Sequence, residues 1–327
     1  MTRIRVGVLR GGPSSEYEVS LKTGHNVLSH FQDMSSQYAS SDIFISRDGI
    51  WHLHGLPQKP YKILKNFDVV FNALHGEYGE DGLIQRELDA VGIPYTGSGA
   101  LSSALGMNKV LAKEIFKKHG LKTPEYVILR EGEDTQEKVF DIFKYFAQPS
   151  IIKPASAGSS VGVTLATDWQ SFKAGIANAF VHSPIVIVEE FIRGREATCG
   201  VIDDFRGQSV YSLLPVEIVK PKESKFFDFN AKYSGEAHEI CPGNFSHAER
   251  EMIEDVARKV HQSLGLRHYS RTDMIVHPRK GVYVLEVNTL PGLTKESLFP
   301  KSLKAIGCSM HNFLDHLVKL AMGKNGI

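Results

Sequence analysis

Two strand-like runs near the C-terminus, residues 270–277 and 282–288, are joined by the turn Pro278-Arg279-Lys280-Gly281. If His277 pairs with Val282 across that loop, partner numbers sum to a constant. Asp273 then faces Glu286 and Arg271 faces Asn288, with all four side chains on one face. Two directly opposed carboxylates repel each other, and the arrangement is unfavourable unless a cation lies between them. Two carboxylates and an amide oxygen make an all-oxygen ligand set. That set suits Mg²⁺ or Mn²⁺, and Mg²⁺ usually completes its shell with water and substrate phosphates. The pattern therefore points towards a nucleotide. A solvated hairpin face with a loose Arg–Asp pair is the plainer alternative.

Three further stretches bear on that choice. The loop Pro154-Ala155-Ser156-Ala157-Gly158-Ser159-Ser160-Val161-Gly162 offers backbone N–H groups and hydroxyls without bulky side chains, as cradling phosphate oxygens requires, and Lys153 precedes it. It lacks GxxxxGK[ST] and a following helix, so it is neither a P-loop nor a dinucleotide fingerprint, and a surface turn fits it equally well. The run Val186-Ile187-Val188-Glu189-Glu190-Phe191-Ile192 is apolar but broken by acids, with Glu196 beyond Gly194. Carboxylates at such a strand end can accept an adenine amino group or ribose hydroxyls, and an edge strand with solvated acids is the alternative. Pro291-Gly292 ends the hairpin and sets a bare N–H beside Arg271, a donor pair able to stabilise an oxyanion. A simple turn glycine is the other reading.

The elements that must position these residues fall into three units. A chain of 327 residues exceeds the size at which single cores stop growing, so two or three domains are expected. Residues 1–98 read as an open α/β domain. A strand over 5–9 ends in Gly11-Gly12-Pro13, with Ser15 and Glu18 matching a capping box. A second strand over 67–74 ends in a glycine-rich run from His75 to Gly82, before a helix over 83–91. Residues 99–190 read as a small α+β unit. It opens with a helix over 108–119, carrying Leu111 and Ile115 four apart, and neighbouring strands follow around the Gly/Ser loop. Residues 191–327 are mostly short strands, then a helix over 248–264 with a Ser246/Glu249 capping box. Within them the polar, aromatic stretch 220–243 lacks periodicity and reads as a functional lid.

Composition narrows the partners. Thirty-eight basic against 37 acidic residues give a net charge of +1, so no global field recruits nucleic acid or a membrane surface. No apolar stretch approaches the ~18 residues of a membrane span. Cys199, Cys241 and Cys308 are odd in number and far apart, which argues against a disulfide framework or zinc site and suits a reducing cytoplasm. The fourteen histidines form no HExxH pair.

Taken in order, five segments closely resemble the D-alanine:D-alanine ligases of the ATP-grasp superfamily, a likeness that runs from about Val6 to Leu317. They are Gly11 to Ser20, His75-Gly76 to Asp81-Gly82, Tyr95-Thr96-Gly97-Ser98-Gly99, Lys153-Pro154 with Gly158 to Gly162, and Glu286-Val287-Asn288-Thr289-Leu290-Pro291-Gly292-Leu293-Thr294. The resemblance implies an ATP-grasp fold of three domains, with ATP held between the central and C-terminal ones. It implies a reaction in which one D-alanine carboxylate attacks the γ-phosphate of ATP and a second D-alanine's amine attacks the acyl phosphate, giving D-alanyl-D-alanine for peptidoglycan. It implies a cytoplasmic enzyme, a homodimer as is usual in the family, and Mg²⁺ or Mn²⁺, two ions in the usual case. Acyl phosphates hydrolyse in water, so such a site must be closed by a lid.

Carried over by motif, Lys109, Lys153 and Lys232 neutralise ATP phosphates. Glu189, the Ile192 backbone and Glu196 hold adenine and ribose, and Phe191 packs on the base. Asp273, Glu286 and Asn288 match the metal ligands, while Arg271 and the Gly292 N–H match the groups at the tetrahedral intermediate. Glu16 receives the first D-alanine's ammonium with His75 nearby, Ser159 and Tyr233 hold the lid closed, and Ser297 with the Leu298 backbone takes the second carboxylate. Tyr233 favours an amino acceptor, which leaves ligases using D-lactate or D-serine as the alternative. Ala157 and the lid segment 234–238 depart from the family pattern.

Overall fold

The computed structural model describes residues 3–156, 161–219 and 238–323; Ser159, Lys232, Tyr233 and most of the expected lid lie outside the described residues. Three sheets organise the described residues. The first has the order β4-β3-β2-β1-β5, from β1 (Ile4–Gly11), β2 (Tyr38–Ile45), β3 (Trp51–Leu53), β4 (Leu56–Pro57) and β5 (Val69–Asn72). Strands β1, β2 and β5 run parallel, and α1 (Tyr17–Asp33) makes the crossover from β1 to β2. Continuous burial of Val6, Val8 and Leu9 is what a strand covered on both faces requires. Its C-terminal end turns sharply because Gly11 takes φ +91; a Cβ there would lie 2.1 Å from the Ile45 carbonyl oxygen. The Ser15/Glu18 capping box expected at this turn does not form. The N-cap is Glu16 without a side-chain cap, Ser15 Oγ donates to Glu77 Oε2 at 3.1 Å, and Glu18 pairs with Arg47.

The second sheet is antiparallel with order β6-β9-β7-β8, from β6 (Tyr126–Arg130), β7 (Ser150–Pro154), β8 (Thr164–Ala166) and β9 (Ile185–Glu190). Helices α6 (Gln136–Tyr145) and α7 (Trp169–Phe180) cover one face through Val139, Phe172 and Ile176. Helices α4 (Ala100–Met107) and α5 (Lys109–Lys118), which the sequence groups with this unit, reach it through Lys113 and Glu189 but turn their apolar side to the third sheet's unit. Ala112 and Phe116 join Val260, Leu264, Val284 and Val287 of the C-terminal unit. The buried face of α5 is Ala112, Lys113 and Phe116; of the expected Leu111/Ile115 stripe, half-buried Ile115 packs against the same cluster while Leu111 points to solvent at 46% exposure.

The third sheet runs β13-β12-β10-β14-β15, with β11 paired to β10. Its strands are β10 (Arg195–Phe205), β11 (Gln208–Ser212), β12 (Val216–Val219), β13 (His238–Ile240), β14 (Tyr269–His277) and β15 (Gly281–Asn288). Strand β13 pairs with β12, so the end of the stretch read as a lid belongs to the sheet. Helix α8 (His247–Ser263) begins with the expected Ser246/Glu249 capping box and buries Ile253 and Val260 against this sheet. Helices α9 (Leu298–Ala305) and α10 (Met310–Ala321) close a core in which Phe299, Phe313 and Leu317 meet Val8, Phe31 and Phe71 of the first sheet. No helix of the described residues is long and apolar enough to cross a membrane.

The hairpin register differs from simple constant-sum pairing in an instructive way. His277 lies opposite Gly281 and Met274 opposite Val284, yet Asp273 lies opposite Glu286 and Arg271 opposite Asn288. Leu285 is the extra residue of a β-bulge. Below it Val282 and Val284 are buried, and beyond it the buried position moves to Val287. Without the bulge, Glu286 would share the core face of Val282 and Val284; with it, Glu286 and Asn288 turn to the cleft.

Gly194 links β9 to β10 where both sheets meet the cleft. A Cβ there would lie 2.4 Å from the Val276 carbonyl oxygen and 2.6 Å from Ile275 Cγ2. Gly194→Ala is therefore expected to push β10 away from β14 and cost about 1–3 kcal/mol, read as a lower urea midpoint at unchanged slope.

Candidate active site

A cleft between the second and third sheets is lined by Lys109, Lys153, Glu189, Phe191, Ile192, Glu196, Arg271, Asp273, Glu286 and Leu298. The structure thus brings together every described residue expected to hold nucleotide, both expected metal-binding carboxylates, and the arginine beside them. Asp273 receives two hydrogen bonds from Arg271, both at 3.0 Å, and one from Thr198 Oγ1 at 2.5 Å. Lys109, the first residue of α5, places Nζ 3.3 Å from Glu286 Oε2. Each carboxylate thus has a cationic neighbour, and both keep a face to the cleft, at 24% and 38% side-chain exposure. Asn288 shares that face, with its Oδ1 accepting from the Leu290 N–H at 3.0 Å. Two carboxyl groups and an amide oxygen on one sheet face make an all-oxygen set that fits a hard divalent cation, since each oxygen retains further lone pairs.

Glu189 behaves differently from a carboxylate waiting at a strand end. It is 2% exposed and lies between two ammonium groups, Lys113 at 2.9 Å and Lys153 at 3.0 Å. Burial alone would raise its pKa, but the charges of Lys113 and Lys153 outweigh burial and hold it below the ordinary carboxylate range. Lys153 is thereby fixed at the cleft wall. Phe191 and Ile192 are half-buried at the end of β9, and the Phe191 N–H donates to the Pro149 carbonyl at 3.2 Å.

A second cluster lies at the C-terminal end of the first sheet. One ligand-capable atom from each of Glu16, His75 and Glu80 falls within a 4.8 Å span. His75 Nε2 meets Thr23 Oγ1 at 2.8 Å, and its Nδ1 lies 4.0 Å from Glu80 Oε1, the outer limit of an ion pair. Burial, opposed by a hydrogen bond to the Leu290 backbone, holds the imidazole down at about 4, so it is neutral near pH 7. Glu80 is pushed up to about 7, first by burial and then by the Glu16 charge. It accepts from the Gly76 N–H at 3.0 Å on one side and from Thr289 Oγ1 at 3.2 Å and the Leu290 N–H at 3.1 Å on the other. Glu80 therefore ties the glycine-rich loop of the first unit to the segment that follows the metal-type ligands. The anionic side of this pocket suits an ammonium group.

Gly292 and Ser297 lie in the turn before α9. Ser297 Oγ takes the Thr294 N–H at 3.2 Å and sits 2.8 Å from Thr294 Oγ1, and a Cβ at Gly292 would come within 3.0 Å of that hydroxyl. Ser297 is the N-cap of α9 without capping it through its side chain, and Pro300 in the first turn has no N–H to receive such a cap. The residues that sequence reasoning missed are Lys113 and Glu80. Lys113 lies four positions after Lys109 on one helix face, and Glu80 stands within a glycine-rich run, but neither spacing distinguishes them from solvated charges.

Comparison with known proteins gives one consistent result. A family described as "D-ala D-ala ligase C-terminus" matches residues 115–319, and one described as "D-ala D-ala ligase N-terminus" matches residues 55–98. A D-alanine--D-alanine ligase from Geobacter sulfurreducens is 39% identical over 96% of this chain and 93% of its own length. One from Desulfotalea psychrophila is 39% identical over 99% and 96%. Among solved structures, the VanG D-Ala:D-Ser ligase from Enterococcus faecalis is similar with a TM-score of 0.84 and 31% identity, covering 98% of this chain and 100% of its own. The D-alanine-D-alanine ligase from Coxiella burnetii follows with a TM-score of 0.83 and 26% identity over 99% of this chain and 95% of its own.

The charge state of His75 is open to test. A histidine whose folded pKa is depressed contributes stability above its unfolded pKa and loses it as pH falls towards the folded value. Between about pH 6.5 and pH 4, wild type is therefore expected to lose up to about 3 kcal/mol relative to His75→Gln. Urea unfolding of both proteins across that range measures the difference.

Proposed function

The chain belongs to the D-alanine:D-alanine ligase family, and on that footing we propose that it joins two D-alanine molecules at the expense of ATP, making D-alanyl-D-alanine for peptidoglycan. The observation that carries the assignment of parts is the single cleft face shared by Asp273, Glu286 and Arg271, with Lys109 and Lys153 alongside. In this reading Lys109 and Lys153, joined by Lys232, receive the polyphosphate, and the β9 end with Phe191, Ile192 and Glu196 receives adenine and ribose. Asp273, Glu286 and Asn288 would hold Mg²⁺ or Mn²⁺, two ions in the family's usual case. A bound divalent ion supplies charge neutralisation at the phosphates.

The first D-alanine lies with its ammonium on Glu16 beside neutral His75. Its carboxylate oxygen forms a bond to the γ-phosphorus as the bond to the β,γ-bridging oxygen breaks, and ADP leaves. The amine of the second D-alanine, its carboxylate at Ser297 and the α9 N-terminus, then attacks the acyl carbon. Arg271 and the Gly292 N–H face the oxyanion that forms, and phosphate departs with its bonding pair and takes up the proton that the amine gives up. Arg271 is oriented for this by its two hydrogen bonds to Asp273. Water would destroy an acyl phosphate, so the reaction needs a closed site; Ser159 and Tyr233, the residues expected to serve that closure, lie outside the described residues. The enzyme works in the cytoplasm, where ATP is available, as a homodimer measurable by sedimentation.

D-Serine is a second acceptor to consider, because a solved structure similar over the whole chain is named a D-Ala:D-Ser ligase. Phosphate release from ATP with D-alanine alone, and with D-alanine plus D-serine or D-lactate, separates the readings when products are identified by mass. The expected result is D-alanyl-D-alanine as the main product. A depsipeptide or a mixed dipeptide as the main product would overturn the acceptor assignment. Glu286→Gln is expected to lower phosphate release by about a hundredfold or more while leaving the unfolding transition in place, because the metal loses a charged ligand.

A further inference from the structure

Lys113 is a fully buried cation that the reaction does not itself use. It rises from α5 one turn after Lys109, and its Nζ lies 2.9 Å from Glu189 Oε1 and 2.5 Å from Thr123 Oγ1. The other oxygen of Glu189 holds Lys153 at 3.0 Å. The side chains of Lys113, Glu189 and Lys153 are 0%, 2% and 8% exposed, so water screens this triad little.

The bookkeeping of charge gives the triad a purpose. A lone Glu189–Lys153 pair would be neutral and would offer a polyphosphate only a dipole. With the second ammonium, two positive charges surround one negative charge, and the group presents one net positive charge to the cleft through Lys153. We propose that Lys113 is a positioning residue for nucleotide binding: by sharing Glu189, it leaves the cleft-lining Lys153 fixed in place with its charge uncancelled. The inference rests on the reading of this cleft as the ATP site.

Every element packed around Lys113 bears on its charge. Glu189 on β9 favours the ammonium, Lys153 on β7 and Lys117 on its own helix oppose it, and the Tyr126 ring of β6 lies 5.5 Å away. Burial is the largest influence and holds Lys113 down at about 8. Losing its proton removes the triad's net positive charge, so nucleotide affinity is expected to fall as pH rises through that value.

The test is calorimetric titration of the full chain with a non-hydrolysable ATP analogue and Mg²⁺, at pH values from about 7 to 10, for wild type and Lys113→Met. Wild type is expected to weaken by about tenfold across that range, and the variant to be weak by about the same factor at every pH, since one charge is gone throughout. The KM for D-alanine is expected to stay near the wild-type value in the variant, which a general loosening of the fold would not spare. A variant that binds as tightly as wild type at pH 7, or a wild-type affinity that is flat with pH, overturns the role of Lys113. If Lys113→Met does not fold, the wild-type pH series decides alone. A wild type that binds no nucleotide at any pH overturns the reading of the cleft instead, and the inference with it.

Discussion

Two carboxylates on neighbouring strands, directly opposite and on the same face, are the constraint around which the cleft is built. Asp273 and Glu286 would repel if left alone in a partly desolvated site. Arg271 takes Asp273 with two hydrogen bonds, and Lys109 approaches Glu286 from the start of α5. The opposition exists only because Leu285 is inserted as a bulge, which reverses the parity of β15 midway. A regular strand would have delivered Glu286 to the valine core, where an ionised carboxylate is costly. The same irregularity carries Asn288 to the cleft and Val287 to the core.

Much of this was legible in the residues, though not always for the right local reason. Constant-sum pairing placed Asp273 opposite Glu286 and Arg271 opposite Asn288 correctly. It misplaced the loop end, where His277 meets Gly281, because the pattern Val282-Tyr283-Val284-Leu285-Glu286-Val287 does not announce where an alternation slips. Of the segments that carried the family likeness, Glu16 and the His75–Gly82 run meet in one cluster and Lys153 and Glu286 line the cleft, while Gly158, Ser159 and Ser160 lie outside the described residues. The Ser15/Glu18 box failed because Glu77 competes for the Ser15 hydroxyl, a contact 62 residues away that no local rule includes. Sequence order groups α5 with the central unit, and its apolar side packs against Val284 and Val287 of the C-terminal one while Lys113 reaches Glu189 of the central sheet.

The residues missed altogether are buried charges. Glu80 and Lys113 stand in surroundings whose composition suggests exposure, and each is drawn inside by partners from other units. Glu80 collects donors from Gly76 on one side and from Thr289 and Leu290 on the other, coupling the ammonium-type pocket to the hairpin end. Such groups contribute little net stability, because desolvation offsets much of the Coulomb gain, while an uncompensated partner left behind is strongly destabilising. Their effect is to fix geometry.

Helix α5 shows how that fixing extends across the cleft. Its apolar side, Ala112 and Phe116, packs on the third sheet's unit, while its two inner lysines reach in different directions. Lys109 goes to Glu286 on β15 of the third sheet, and Lys113 goes to Glu189 on β9 of the second. One helical turn separates the two contacts, about 6 Å along the axis. A rigid element of that length sets the spacing of the two walls more firmly than a loop could. An anion entering between them meets Lys109, Lys153 and Arg271 already aligned by acids behind or beside them. The cations need no reorganisation to receive it, and the acids that hold them are prevented from collapsing onto one another. Charge balance in the resting cleft and charge complementarity to a polyphosphate are therefore produced by the same set of contacts.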